Sequence, residues 1–188
     1  MRIIQEYPHC GKHCYIKEYK DSKVIKIFNV KAIKGKEDLE TFLWGDIKYD
    51  DLVTYIPLWQ ACIVQNILYH HGISPRVFEL VIVRHAGKRY FTQIVEDAGR
   101  VHCDKHEDAY DTYNKAQTIG ERYHFKVGKQ DVSKYDVLIT KDGKKLIDFN
   151  SFYFHKKDWK ERIEQEYKEK DPKLMELIRP FYLENLLQ

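Results

Sequence analysis

The sequence predicts an α+β fold, with antiparallel strands concentrated in the first half and helices in the second. Two observations carry that expectation. Short runs of β-branched and aromatic residues fill the first thirty positions and return between Val77 and Val95. Between and after them, apolar residues recur at helical spacing, at Ile56, Trp59, Ile63 and Ile67 and again from Asp104 to His124.

In order, Ile3-Ile4, Cys14 to Tyr19 and Val24 to Phe28 read as strands, the last two joined by a turn at Lys20-Asp21-Ser22-Lys23. Lys36 to Trp44 is a short helical candidate closed by Gly45. The helix through Ile56 and Ile67 should end at His70-His71-Gly72, because Gly72 suits a left-handed cap and Pro75 blocks continuation. The two histidines would complement the helix dipole there. Val77 to Val83 and Tyr90 to Val95 form strands around His85-Ala86-Gly87-Lys88. Asp104 to His124 is amphipathic, with Ala109, Tyr113, Ala116, Gly120 and Tyr123 on one stripe. Val137-Leu138-Ile139 and Lys145-Leu146-Ile147 are short strands across an Asp142-Gly143 turn. The tail is helical around Trp159, Ile163 and Tyr167, and restarts at Asp171-Pro172, a cap and first-turn pair. Pro180 should divide this last helix, and Phe181 and Tyr182 extend the apolar stripe into core packing.

A chain of 188 residues suits one compact domain or two closely packed lobes. Its 43% hydrophobic and 14% aromatic content belongs to a folded protein. Lys and Arg total 32 against 29 Asp and Glu, a net charge of +3, so composition does not argue for nucleic acid; a local pocket for a polyanion remains compatible. The first residues lack the apolar stretch of a signal peptide, and no segment has the apolar length of a membrane span. Cys10, Cys14, Cys62 and Cys103 do not form a secreted disulfide framework. A cytoplasmic protein is expected.

The chemistry concentrates in Lys129-Gln130-Asp131 through Asp136, and in Leu146-Ile147-Asp148-Phe149-Asn150. Phosphoryl transfer requires metal-binding oxygens near the phosphates, a carboxylate near the acceptor hydroxyl, and a cation. Two metal-capable carboxylates, Asp136 and Asp148, flank a tight hairpin and can therefore meet. Asp131, before them, can face the acceptor.

This pattern resembles the protein-kinase-like superfamily, with its small-molecule and atypical kinases, in which a catalytic Asp, an Asn, a hairpin and Asp-Phe-Gly follow in turn. The resemblance implies Asp131 as catalytic base, Asp136 in the metal-binding Asn position, and Asp148-Phe149-Asn150 in the Asp-Phe-Gly position. It implies ATP and Mg²⁺ as cofactors and a hydroxyl-bearing acceptor of unknown identity. Upstream, Val24-Ile25-Lys26 is similar to the strand whose Lys contacts the α- and β-phosphates. The helix ending near Gly72 is similar to αC, leading through Pro75 into strand four. Thr92 to Gly99 is similar to strand five entering the adenine hinge, where the Glu96 carbonyl and the Ala98 amide would meet the base. The likeness covers about residues 10 to 155. It implies a two-lobed fold, with a small β-rich amino-terminal lobe over residues 1–98 and a truncated helical lobe over residues 99–188.

The chain departs from that pattern at identifiable places. Counted back from Pro75, Gln65 takes the position of the αC glutamate and would hydrogen-bond Lys26 without an ion pair. Asp at 136 still supplies a hard oxygen for Mg²⁺. Asn150 for Gly tolerates unusual dihedrals better than most residues. The glycine-rich loop reduces to Pro8 through His13, where Gly11 and Lys12 could meet phosphate. After Asn150 there is no Ala-Pro-Glu segment, so a conventional peptide platform is not expected; an unusual substrate, a protein partner completing the second lobe, or nucleotide binding alone would each fit.

Each assignment has an ordinary counterpart. Asp131 could cap a turn, Asp136 could sit at a strand edge, and Asp148 could be a solvated hairpin residue. Lys26 could be an exposed strand lysine, and Glu96-Asp97 a solvated strand end. His9, Cys10, His13 and Cys14 could suggest zinc, but one Cys-x3-Cys without a second pair is poor evidence for a four-ligand site. Lys144-Lys145 and Lys156-Lys157 read as solvated faces, with an acidic-substrate or RNA-facing surface as the alternative. A pseudokinase, binding nucleotide or protein without transfer, is the second functional expectation. A third is a kinase-like appendage or regulator of a larger enzyme system.

Overall fold

The computed structural model describes residues 14–19, 21–28, 47–49, 52–54, 58–85, 88–99, 101–127, 133–149 and 152–186. Strand β1, Cys14–Tyr19, pairs antiparallel with β2, Lys23–Phe28, as their composition predicts. At the turn Asp21 and Ser22 lie in the left-handed region, at φ 56 and 57, a conformation that short polar side chains tolerate. The expected strand at Ile3-Ile4 and helix at Lys36 to Trp44 lie outside the described residues. A two-stranded ribbon, β3 (Ile47–Tyr49) with β4 (Leu52–Thr54), follows; three-residue strands are too short to leave a periodic signal.

Helix α1, Leu58–His70, is buried on nearly every face, from Leu58 and Trp59 through Leu68. A helix apolar all round belongs between layers rather than on a surface. Its end is the one expected: Gly72 takes φ 75, its amide donates to the Tyr69 carbonyl, and that of Ile73 donates to Leu68. Strands β5 (Val77–His85) and β6 (Lys88–Glu96) form a hairpin, and β6 inserts beside β2. The resulting antiparallel sheet has the order β1-β2-β6-β5, with Lys26 opposite Gln93.

Helix α2, His106–Arg122, buries Ala109, Thr112, Tyr113, Ala116 and Gly120. It leads into β7, Phe125–Val127. A 3-10 turn at Lys134–Asp136 opens the hairpin of β8 (Val137–Thr140) and β9 (Gly143–Leu146). Strand β10, Phe152–Phe154, pairs with β7. Helices α3 (Trp159–Tyr167) and α4 (Pro172–Ile178) follow, the latter capped by Asp171, whose Oδ1 accepts from the Leu174 amide at 3.0 Å. At Pro180 the chain tightens to a 3-10 turn, Arg179–Phe181, before the short α5, Leu183–Leu186. Trp159, Ile163, Tyr167, Phe181 and Tyr182 are all buried, with the Trp159 ring stacked on Phe154 at 3.8 Å between centroids.

Most of the buried apolar side chains form one cluster, from Val24 and α1 through α2 to Tyr182, so the core crosses the expected 98/99 line. Asn66 ties it together: its Nδ2 donates to the carbonyls of Val77 and Leu177, and its Oδ1 accepts from the Val77 amide. His70 Nε2 also meets Asp171 Oδ2 at 2.7 Å, so it holds α4 rather than only complementing a dipole. Lys144 and Lys145, expected on a solvated face, make exposed contacts there, with Asp108 and with the Gly72 carbonyl. Among the described residues, no helix is long and apolar enough to cross a membrane.

Gly120 is a point of close approach. A Cβ there would stand 2.5 Å from the Phe125 carbonyl oxygen and 2.8 Å from its ring. Gly120→Ala is therefore expected to destabilise by about 1–3 kcal/mol, outweighing alanine's gain in helix propensity. A urea titration with an unchanged midpoint would contradict this contact.

Candidate functional site

The β8–β9 hairpin creates the site. Its register runs from Val137↔Leu146 to Thr140↔Gly143, and Gly143, at φ 107, closes the two-residue tip. The ladder continues past the strands, because the Ile147 amide donates to the Asp136 carbonyl at 2.8 Å. Asp136 and Asp148 consequently leave the same open end of the hairpin. From the other side Lys26 reaches across, its Nζ donating to the Ile147 carbonyl at 3.0 Å. A lysine of β2 and two carboxylates far away in sequence are thus brought together.

Asp136 is half-buried and held in place. Its Oδ2 accepts from the Tyr113 hydroxyl at 3.2 Å and from the Ser133 amide at 3.3 Å. The second bond completes a capping box on the 3-10 turn, since the Ser133 hydroxyl accepts from the Tyr135 amide. Asp136 therefore has a structural role as well as a candidate chemical one. Burial and the neighbouring Asp148 charge raise its pKa above the ordinary carboxylate range, against the pull of Ser133, Tyr113 and Lys26. Burial, helped by both carboxylates, also pushes the Tyr113 phenol well up, so the hydroxyl stays protonated and donates.

The sign of the pH effect follows. In the fold Asp136 holds its proton more tightly than in the unfolded chain, so ionising it costs stability as pH rises through the raised folded pKa. A bound cation requires the ionised form and competes with that proton. A cation held by this pair would therefore stabilise the fold more at neutral pH than under acid conditions that protonate Asp136. Tyr113→Phe removes a donor that favours the carboxylate, and should move the midpoint of this dependence to higher pH. Mg²⁺ titrations of thermal stability at several pH values would measure both, and a pH-independent Mg²⁺ response would contradict them.

Gln65 does not take the expected position. It is buried, but its Nε2 donates to the Pro75 carbonyl at 3.0 Å, and its backbone carbonyl accepts from Ser74 Oγ at 2.6 Å. Counting back from Pro75 located a residue that fastens the helix to the following loop, a role for which an amide is well suited. One turn earlier on α1, Cys62 is fully buried, and burial pushes its thiol up to about 12. Its Sγ lies 3.0 Å from Nε2 of Gln93, the residue opposite Lys26 on β6.

At the other end of β6, the Glu96 amide donates to the Arg76 carbonyl, and the Glu96 carboxylate accepts from the Arg76 amide. These bonds anchor the exit of the strand, after which 97–99 run on without regular structure and Ala98 is half-buried. Asp131, Gly11, Lys12 and Cys10 lie outside the described residues, and Cys14 is described only as strand backbone. Among the described residues, no group of three or more His, Cys, Asp or Glu could hold a metal ion. The pair Asp136 and Asp148 nevertheless fits Mg²⁺ chemically: two hard oxygen donors meet at one place, and their mutual repulsion is what a cation relieves. Mg²⁺ in nucleotide sites takes one or two carboxylates, its other positions going to phosphate and water.

Little in the sequence pointed to Tyr113, Ser133, Cys62 and Gln93. Tyr113 was visible only as one apolar position in a helical stripe. Ser133-x-x-Asp136 is a capping-box spacing that could have located the turn. No protein-family model matches the chain, and no curated protein matches it.

Proposed function

We propose that this chain is an atypical ATP- and Mg²⁺-dependent phosphotransferase with a two-lobed, kinase-like fold. The observation that carries the reading is the convergence of Lys26 on the Ile147 carbonyl, between Asp136 and Asp148. Support also comes from the order of elements: the lysine strand, a buried helix, the strand leading to 97–99, and the carboxylate hairpin follow one another as the resemblance requires. A nucleotide phosphate chain would meet the Lys26 ammonium at its α- and β-phosphates, while Asp136 and Asp148 supply carboxylate oxygens to the cation. Bound Mg²⁺ would neutralise charge on the phosphoryl oxygens. Asp131 would take the proton of the acceptor hydroxyl. That oxygen then forms its bond to the γ-phosphorus, the bond to the β–γ bridging oxygen breaks, and ADP leaves with the electron pair. The Glu96 carbonyl and Ala98 amide would hold adenine, and Gly11 and Lys12 would lie over the phosphates.

A thermal-shift titration with ATP, with and without Mg²⁺, tests the binding half. Transfer of labelled phosphate to a hydroxyl acceptor, lost in Asp131→Ala with binding retained, tests the chemical half. Absence of any ATP-dependent stabilisation would sink both. A pseudokinase is the second reading, and one observation favours it: α1 contains no Asp or Glu, so that helix supplies no carboxylate to Lys26. Mg²⁺-dependent stabilisation without turnover would select that reading.

A further inference from the structure

We infer that His71 is a pH-sensitive clasp: as a neutral imidazole it accepts the Tyr123 hydroxyl and fastens the end of α1 to the end of α2, and on taking a proton it lets that end go.

Four helix termini meet at this point. His70 and His71 close α1, Arg122 and Tyr123 close α2, Tyr167 ends α3, and Asp171 caps α4. The two histidines take different partners, with their rings edge to face at 5.4 Å between centroids. His70 Nε2 lies 2.7 Å from Asp171 Oδ2, and His71 Nε2 lies 2.9 Å from the Tyr123 hydroxyl. Tyr123 is 1% exposed, and its ring packs on Tyr167 at 4.8 Å. Burial pushes its phenol up to about 12, so the hydroxyl keeps its proton and can donate it to the imidazole.

Acid acts on the two contacts in opposite senses. A proton on His70 turns its contact with Asp171 into an ion pair. A proton on His71 removes the lone pair that receives the Tyr123 hydroxyl, so a donor then faces a donor. The new charge is also repelled by His70 and by Arg122, whose guanidinium lies 5.7 Å from the Tyr123 ring centre. Asp171 favours the proton, but its two oxygens are engaged by His70 and by the Leu174 amide. Glu166 and Tyr167, on α3, act on Tyr123. Burial, with His70 and Arg122, holds the His71 pKa below its ordinary value of 6.5. The stability that His71 contributes is therefore complete above that value and is lost as pH falls through it toward the lower folded pKa. Mild acid should loosen α1 from α2 while His70 and Asp171 keep it on α4.

Hydrogen exchange of the full chain tests this, read by mass spectrometry at neutral pH and at about pH 5.5 and corrected for the intrinsic pH dependence of exchange. The reporter is the turn at the end of α1, where the His71 amide donates to the Ile67 carbonyl and the Ile73 amide to that of Leu68; β6 is the reference. On acidification the turn should lose about fivefold or more of its protection relative to β6. His71→Gln places an amide that does not titrate near the position of Nε2, where its oxygen can still accept the hydroxyl. Its protection should change by less than about twofold between the two conditions. Tyr123→Phe removes the donor, and protection should be low at both. A merely structural His71 would leave parent and His71→Gln with the same pH dependence, and that result would overturn the clasp. So would a parent turn equally protected at both pH values, or a Tyr123→Phe variant that lost protection on acidification as the parent does. If His71→Gln does not fold, an NMR titration of the His71 ring in the parent decides: a midpoint at or above the ordinary 6.5 would overturn the assignment.

Discussion

Asp148→Asn is expected to abolish Mg²⁺-dependent stabilisation by ATP and to lower any phosphoryl transfer by about 10²–10³-fold or more. The amide keeps the size of the side chain and one oxygen, but it loses the negative charge for which a hard cation exchanges water. Asp148 follows Ile147, whose amide donates to the Asp136 carbonyl and whose carbonyl accepts from the Lys26 ammonium, so its backbone position should survive the change. For a ligand at a hundred times its Kd, the lost stabilisation is about 2.7 kcal/mol. In a chain of this size that corresponds to roughly 5–10 °C in melting temperature. ATP without Mg²⁺ should stabilise parent and variant about equally, because Lys26 remains. An Asn variant that kept the Mg²⁺-dependent component would show that the cation sits elsewhere, and the candidate site would fail with it.

Asn66→Leu should produce the largest loss of stability. The side chain is fully buried, and its three hydrogen bonds serve the Val77 amide, the Val77 carbonyl and the Leu177 carbonyl. Leucine fills a similar volume but satisfies none of them, and each buried polar group left unpaired costs about 1–3 kcal/mol. Allowing for relaxation, the net loss is about 3–5 kcal/mol, or roughly 10–15 °C. Asn66→Asp, which keeps the acceptor for Val77 and removes both donors, should also destabilise strongly. Urea denaturation gives the comparison; a Leu variant within about 1 kcal/mol of the parent would contradict the hub role.

Much of the local structure was legible in the sequence. The β1–β2 and β5–β6 hairpins announced themselves through strand-length runs and polar turns, and α1 and α2 through spacing and a glycine cap. The hairpin bringing Asp136 and Asp148 together was readable for the same reason: its tip carries Asp142-Gly143 between two short apolar runs. The ribbon of β3 with β4 and the pairing of β7 with β10 were not, since three residues carry no period. The Gln65 contacts were not legible. A count along the chain locates a residue, but in a helix the face decides its neighbours, and the Gln65 amide donates to the Pro75 carbonyl in the loop that follows. Tyr113 was hidden because its ring belongs to the core while its hydroxyl reaches the site.

The continuation of the β8–β9 ladder beyond its last strand pair has a practical meaning for changing this protein. The spacing of the two aspartates is fixed by the bond from the Ile147 amide to the Asp136 carbonyl, at the base of the hairpin. The exposed tip at Lys141-Asp142 contributes nothing to that spacing. Residues could be inserted there, to carry a fluorophore or a recognition peptide, with the carboxylates left in place. Deleting a single residue inside β8 would instead slip the register and turn alternate side chains to the opposite face. The hairpin is a handle at one end and a gauge at the other.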